Sequence, residues 1–139
     1  MEGTLDLEGA TVTGKGAVVE IAEGANLKYR SIERKNIMDG AFALKLNDKG
    51  GVDFVFEGKI ALKSSVTLTI ASKDTLVLGA KAVLTIPSDG DVKGDGTVTV
   101  ADGAQIVSKK ESALTHNSLT SVNAKGTWTY SEKTWSKGE

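Results

Sequence analysis

Cysteine is absent from this chain of 139 residues, which excludes disulfides and thiolate metal sites. A single histidine, His116, excludes a histidine-rich metal centre. It lies between Thr115 and Asn117 in a polar segment and reads as a surface residue. No apolar run approaches the ~20 residues that a membrane-spanning helix needs, so membrane insertion is not expected. Neither sign of charge prevails: 17 basic and 18 acidic residues leave a net charge of −1, and that balance favours neither nucleic acid nor an anionic membrane as partner. The opening Met1–Leu7 lacks the basic and apolar regions of a signal peptide. The chain is therefore expected either to stay inside the cell or to begin within a longer exported protein. Aromatic residues make up only 5%, so the core is expected to rest on Val, Ile, Leu and Ala, which suit strands.

What the chain does have is glycine, 16 residues against one proline, and a periodic apolar pattern. Every eighth residue from position 52 reads Val52, Ile60, Leu68, Leu76, Leu84, Val92, Val100. At the chain's overall apolar content, seven such hits in a row arise by chance in about one phase in six hundred. A companion ladder, Phe54, Leu62, Ile70, Leu78, Ile86, fails at Gly94. Beyond it the pattern slips by two and continues as Val98, Ile106, Leu114, Val122, Tyr130, with the slip placed at Gly94-Asp95-Gly96. An earlier ladder runs Leu5, Thr13, Ile21, Tyr29, Ile37. Short polar clusters such as Glu57-Gly58-Lys59 and Ser88-Asp89-Gly90 separate the apolar members, as strand connections do. The stretch Val12–Leu27 also matches Val92–Ile106, allowing one inserted residue. Internal similarity of this kind bears directly on fold class.

An eight-residue unit of about five strand residues and three turn residues predicts an all-β parallel β-solenoid, with the eight-residue unit as its stacking element and residues 1–139 as one domain. The alternative is an antiparallel β-sandwich or barrel, supported by Asp102-Gly103 between two alternating strands, a hairpin signal. Leu68-Thr-Ile-Ala71, Gly79–Ile86 and Gly96–Ala104 resemble segments of right-handed parallel β-helices, of pectate-lyase-like architecture, in bacterial surface and adhesin-like proteins. That resemblance implies three strands per coil. Residues 30–40 read as an excursion with one or two helical turns, and residues 126–139 as a C-terminal cap.

Candidate sites are few. Trp128, Tyr130 and Trp135 gather aromatic rings near the C-terminus and are candidate ligand-binding residues for a sugar, besides their role in closing the end of the stack. Asp89, Asp91 and Asp95 put three carboxylates in one loop, a weak calcium candidate, but the spacing departs from known calcium loops and Asp and Gly are also ordinary turn residues. No metal and no cofactor are therefore expected. Lys28, Arg30, Arg34 and Lys35 could form a local anion patch, diluted by Glu33. The pairs Gly14/Gly16 and Gly94/Gly96 lack the flanking pattern of a nucleotide loop and read as turns. Thr-x-Thr at 11/13, 67/69, 97/99 and 127/129 raises an ice-binding face, but the intervening units break the rank.

No catalytic signature stands out, and a non-enzymatic structural or adhesive module of a bacterial exported or phage-related surface protein is the leading expectation. It implies an extracellular or cell-surface location, with a surface glycan or protein as partner. The alternative is a carbohydrate-binding module using the C-terminal aromatics. A polysaccharide lyase or hydrolase comes third.

Overall fold

Alternation of apolar and polar residues drives nearly every element of the chain. In Val52–Phe56 the residues Val52, Phe54 and Phe56 are buried, while Asp53 and Val55 face outward. The computed structural model describes residues 4–6, 18–22, 25–29, 32–47 and 50–138. Its strands in order are β1 (Thr4–Asp6), β2 (Val18–Ile21), β3 (Asn26–Tyr29), β4 (Ile32–Glu33), β5 (Met38–Asp39), β6 (Phe42–Leu46), β7 (Val52–Phe56), β8 (Lys59–Leu62), β9 (Thr67–Thr69) and β10 (Thr75–Leu78). They continue as β11 (Val83–Ile86), β12 (Asp91–Lys93), β13 (Thr97–Val100), β14 (Gln105–Ser108), β15 (Gly126–Ser131) and β16 (Thr134–Lys137). One helical turn, α1 (Arg34–Ile37), lies between β4 and β5. The protein is all-β.

The described residues form four sheets, in the orders β1-β3-β4, β13-β10-β7-β6-β2, β16-β15-β14-β11-β8-β5 and β12-β9. From β7 to β14 the pairing is parallel, and successive strands enter the five-stranded, six-stranded and two-stranded sheets in turn. Outside this middle part β1 and β3 are parallel, and the other pairings reverse direction. Strand β6 pairs antiparallel with both β2 and β7, β3 with β4, β5 with β8, and β15 with both β14 and β16.

This corrects the expected parallel β-solenoid. Half of the strand pairings among the described residues are antiparallel, and the two large sheets are mixed. The resemblance to β-helix segments of surface proteins therefore does not extend to the architecture of the chain. The physical cause is the connections. The short loop between β6 and β7 and the two-residue turn between β15 and β16 leave room only for antiparallel neighbours, since parallel strands need a crossover.

The eight-residue unit is corrected as a stacking element too. Residues eight apart lie on successive strands of different sheets, whereas hydrogen-bonded partners are 24 apart, as Thr67 and Asp91 are, or 22 apart, as Thr75 and Thr97 are. No eight-residue repeat architecture results. The Asp102-Gly103 turn likewise joins β13 and β14, which belong to different sheets, so it is not a hairpin.

The ladder nevertheless marks the core. Val52, Ile60, Leu68, Leu76, Leu84 and Val92 are buried, as are Phe54, Leu62, Ile70, Leu78 and Ile86; Val100 at the end is partly buried. Each such aliphatic side chain contributes about 1.5–3 kcal/mol when fully buried. At the predicted slip, the chain passes so close to β9 that a Cβ on Gly94 would lie 2.2 Å from the carbonyl oxygen of Ile70. Gly94 also has φ +113°, a conformation that glycine adopts without a Cβ penalty.

All seven aromatic residues of the chain sit on elements at or next to the antiparallel parts. Tyr29, Phe42, Phe54 and Phe56 pack together, with the Phe42 and Phe56 rings edge-on at 5.6 Å. Trp128, Tyr130 and Trp135 lie at the other end. Within the segment 30–40, Arg34–Ile37 form one helical turn, and Arg34 and Met38 are buried.

Candidate functional site

The β15–β16 hairpin brings the three C-terminal aromatics to one place. Trp128 stands opposite Ile106 of β14, and Tyr130 opposite Trp135. The Tyr130 and Trp135 rings meet edge-on at 5.2 Å. Both indoles are buried, at 8% and 7% exposure, within the core cluster; Tyr130 is half-buried. Trp128 Nε1 donates to the Ala124 carbonyl at 3.0 Å, whereas Trp135 Nε1 is buried without an acceptor. The ring faces that a sugar would need are thus largely taken by protein.

The three acids of the calcium candidate do not converge. Asp89 turns to the β8–β9 corner, where it accepts from Ser65 N at 2.8 Å, Ser65 Oγ at 2.7 Å and Ser64 Oγ at 3.0 Å. These hydrogen bonds, those from Ser65 first, hold its carboxyl at about 2, below the ordinary 3.8. Ser65 is held there at φ +66°. Asp91 turns the other way, accepting from Thr115 N at 2.9 Å, from Thr115 Oγ1 and from its neighbour Val92 N at 2.8 Å. Its partial burial disfavours the charged form, but the bonds from Thr115 and Val92 and the nearby Lys110 outweigh that and lower its pKa. Among the described residues, no group of three His, Cys, Asp or Glu side chains is arranged to hold a metal.

His116 is buried, contrary to its polar surroundings in sequence. Nε2 contacts the Gly96 carbonyl at 2.8 Å and Nδ1 accepts from Ser118 N at 3.1 Å. That pattern assigns the proton to Nε2 and leaves neither nitrogen for chemistry. Its backbone N–H donates to Val92 O at 2.8 Å, so the segment after β14 lies along the free edge of β12.

The basic patch is not assembled. Lys28 and Lys35 approach Glu33 at 3.9 and 3.7 Å, and Arg34 is buried with Nη2 on the Gly40 carbonyl. Arg30 lies outside the described residues, as do Gly14, Gly16 and the Thr11/Thr13 pair. The remaining Thr-x-Thr pairs fall on β9, β13 and β15, which belong to three different sheets, so they share no face.

No family model matches the chain, and neither a curated protein nor a solved structure does.

The sequence pattern did not single out an open concavity among the described residues. It lies on the outward face of the five-stranded sheet and measures about 720 Å³. In register across β2, β6, β7 and β10 stand Glu20, Ala43, Val55 and Val77. The parallel row is Val18, Lys45, Asp53 and Thr75. Small side chains in the first row make the hollow, and charged ones border it. Val18, on one wall, is 57% exposed, the largest exposure of any large apolar residue described. The outward alternation of β6 and β7 was the signal that could have found it, because apolar Ala43 and Val55 occupy positions where polar residues are usual.

Proposed function

We propose that this chain is a non-enzymatic binding module, adhesive in role, whose recognition surface is the outward face of the five-stranded sheet. The groove carries this reading. Its volume falls in the range of about 300–1,000 Å³ typical of ligand sites. Its floor is apolar and its rim offers a few polar groups, the combination that gives contact area together with orientation. Exposed Val18 adds apolar surface to one wall. A module of this kind belongs on a cell surface or outside the cell, engaging a glycan or a protein. In architecture, the antiparallel alternative suits both ends of the chain better than a solenoid does.

The test fills the floor. Val77→Arg should abolish binding to whichever partner is retained from glycan and protein arrays, with the unfolding midpoint unchanged. Retention of all binding by that variant would overturn the reading.

A second reading is a carbohydrate-binding module using Trp128, Tyr130 and Trp135, favoured by the unmatched buried donor of Trp135 beside a half-buried tyrosine. Because Trp128 is packed in the core, its truncation would confuse folding with binding. Trp135→Phe and Tyr130→Ala are the appropriate probes. Glycan binding lost in both, but kept in Val77→Arg, would select this reading over the first.

A further inference from the structure

We infer that the groove takes a basic segment of a partner protein, with the alkyl stem of a lysine or arginine on the floor and its cationic head on Glu20 and Glu57. This rests on the reading of the groove as the recognition surface. Charge complementarity decides the occupant. The lining holds three carboxylates, on Glu20, Asp53 and Glu57, against the single ammonium of Lys45. Asp53 is already engaged by Asn47 Nδ2 at 2.8 Å. Glu20 and Glu57 have no hydrogen-bond or ion-pair partner among the described residues, and both are exposed. Between them lie Ala43 and Val55, one apolar side chain on each of two adjacent strands.

A lysine or arginine side chain has the matching anatomy, an apolar stem and a charged end that seeks water or carboxylate. A sugar would be served by aromatic faces, and the groove has one aromatic ring, Phe42, whose side chain is buried in the core. An acidic segment would meet the two unpaired carboxylates and be repelled.

Fluorescence anisotropy with a labelled lysine-glycine peptide, a glutamate-glycine peptide and a neutral oligosaccharide tests this. The lysine peptide should bind the wild-type chain and weaken as salt rises, because exposed charges are screened. The double variant Glu20→Gln/Glu57→Gln should lose about tenfold in affinity, the sum of two exposed ion pairs. Glu111→Gln, which removes an exposed acid beyond β14 and outside the groove lining, should leave binding unchanged. Equal binding by the double variant, or a preference for the glutamate peptide, would overturn the inference. If the oligosaccharide binds instead and Val77→Arg abolishes it, the recognition surface stands and the basic partner falls. If no probe's binding depends on Val77, both fall.

Discussion

Asp89 shows how much of the acidic loop is occupied with folding. Its carboxylate fixes Ser65 in a left-handed conformation that a serine does not favour. Because its folded pKa of about 2 lies below the ordinary 3.8, its stabilising effect is complete above that ordinary value and is lost as pH falls towards 2. The lowered Asp91 acts in the same direction. Thermal unfolding followed from neutral pH to pH of about 2 should show a decline in midpoint that is smaller in Asp89→Asn, which has no charge to lose. Identical profiles would mean the serine bonds are not made in solution. A buried carboxyl, Asp74, accepts from Tyr29 Oη and Val52 N, both at 3.1 Å. It ties β3 and β7 to the corner before β10. Tyr29→Phe removes one of these donors from an acid only 2% exposed, and should cost about 1–3 kcal/mol in urea unfolding.

At the scale of elements, the buried faces were legible and the pairing directions were not. Alternation tells which side of a strand is inward, so the ladder from Val52 to Val92 located the core strands. It carries no information on whether the neighbouring strand runs parallel. The slip at Gly94-Asp95-Gly96 was readable because a close backbone crossing demands glycine. The β15–β16 turn was not, because its central residues are Glu132 and Lys133, at φ +51° and +65°, where Asn-Gly is the usual signal. Two non-glycine residues in this region cost about 1–2 kcal/mol each. Glu132→Asn/Lys133→Gly should therefore raise stability by about 1–2 kcal/mol, seen as a higher unfolding midpoint. The site was legible only in part: the aromatic trio does gather, but both indoles join the buried core, as do Leu119 and Val122 of a segment whose sequence looks polar and open. His116 organises that segment. His116→Ala should cost about 2 kcal/mol or more and speed amide exchange at His116 and Leu114, whose N–H groups bond to Val92 and Val122.

The whole molecule is a parallel aliphatic middle closed at each end by antiparallel strands carrying aromatic rings. Parallel strands stacked this way leave an open edge and an open core at their last layer, and β14 with Ile106 stands at such a layer. The hairpin covers both, since β15 satisfies the β14 edge and Trp128 lies against Ile106 in register. An uncovered edge of this kind is a template for pairing with another chain. Trp128→Ala should cost about 3–5 kcal/mol, as for a large core side chain. Deleting residues 126–139 should go further, because it frees backbone donors and acceptors as well as apolar surface. Light scattering across a concentration series should then show association that the full chain lacks, with a lowered unfolding midpoint. If the shortened chain stays monomeric and keeps its midpoint, the hairpin is an appendage, and the middle strands must satisfy their own edge.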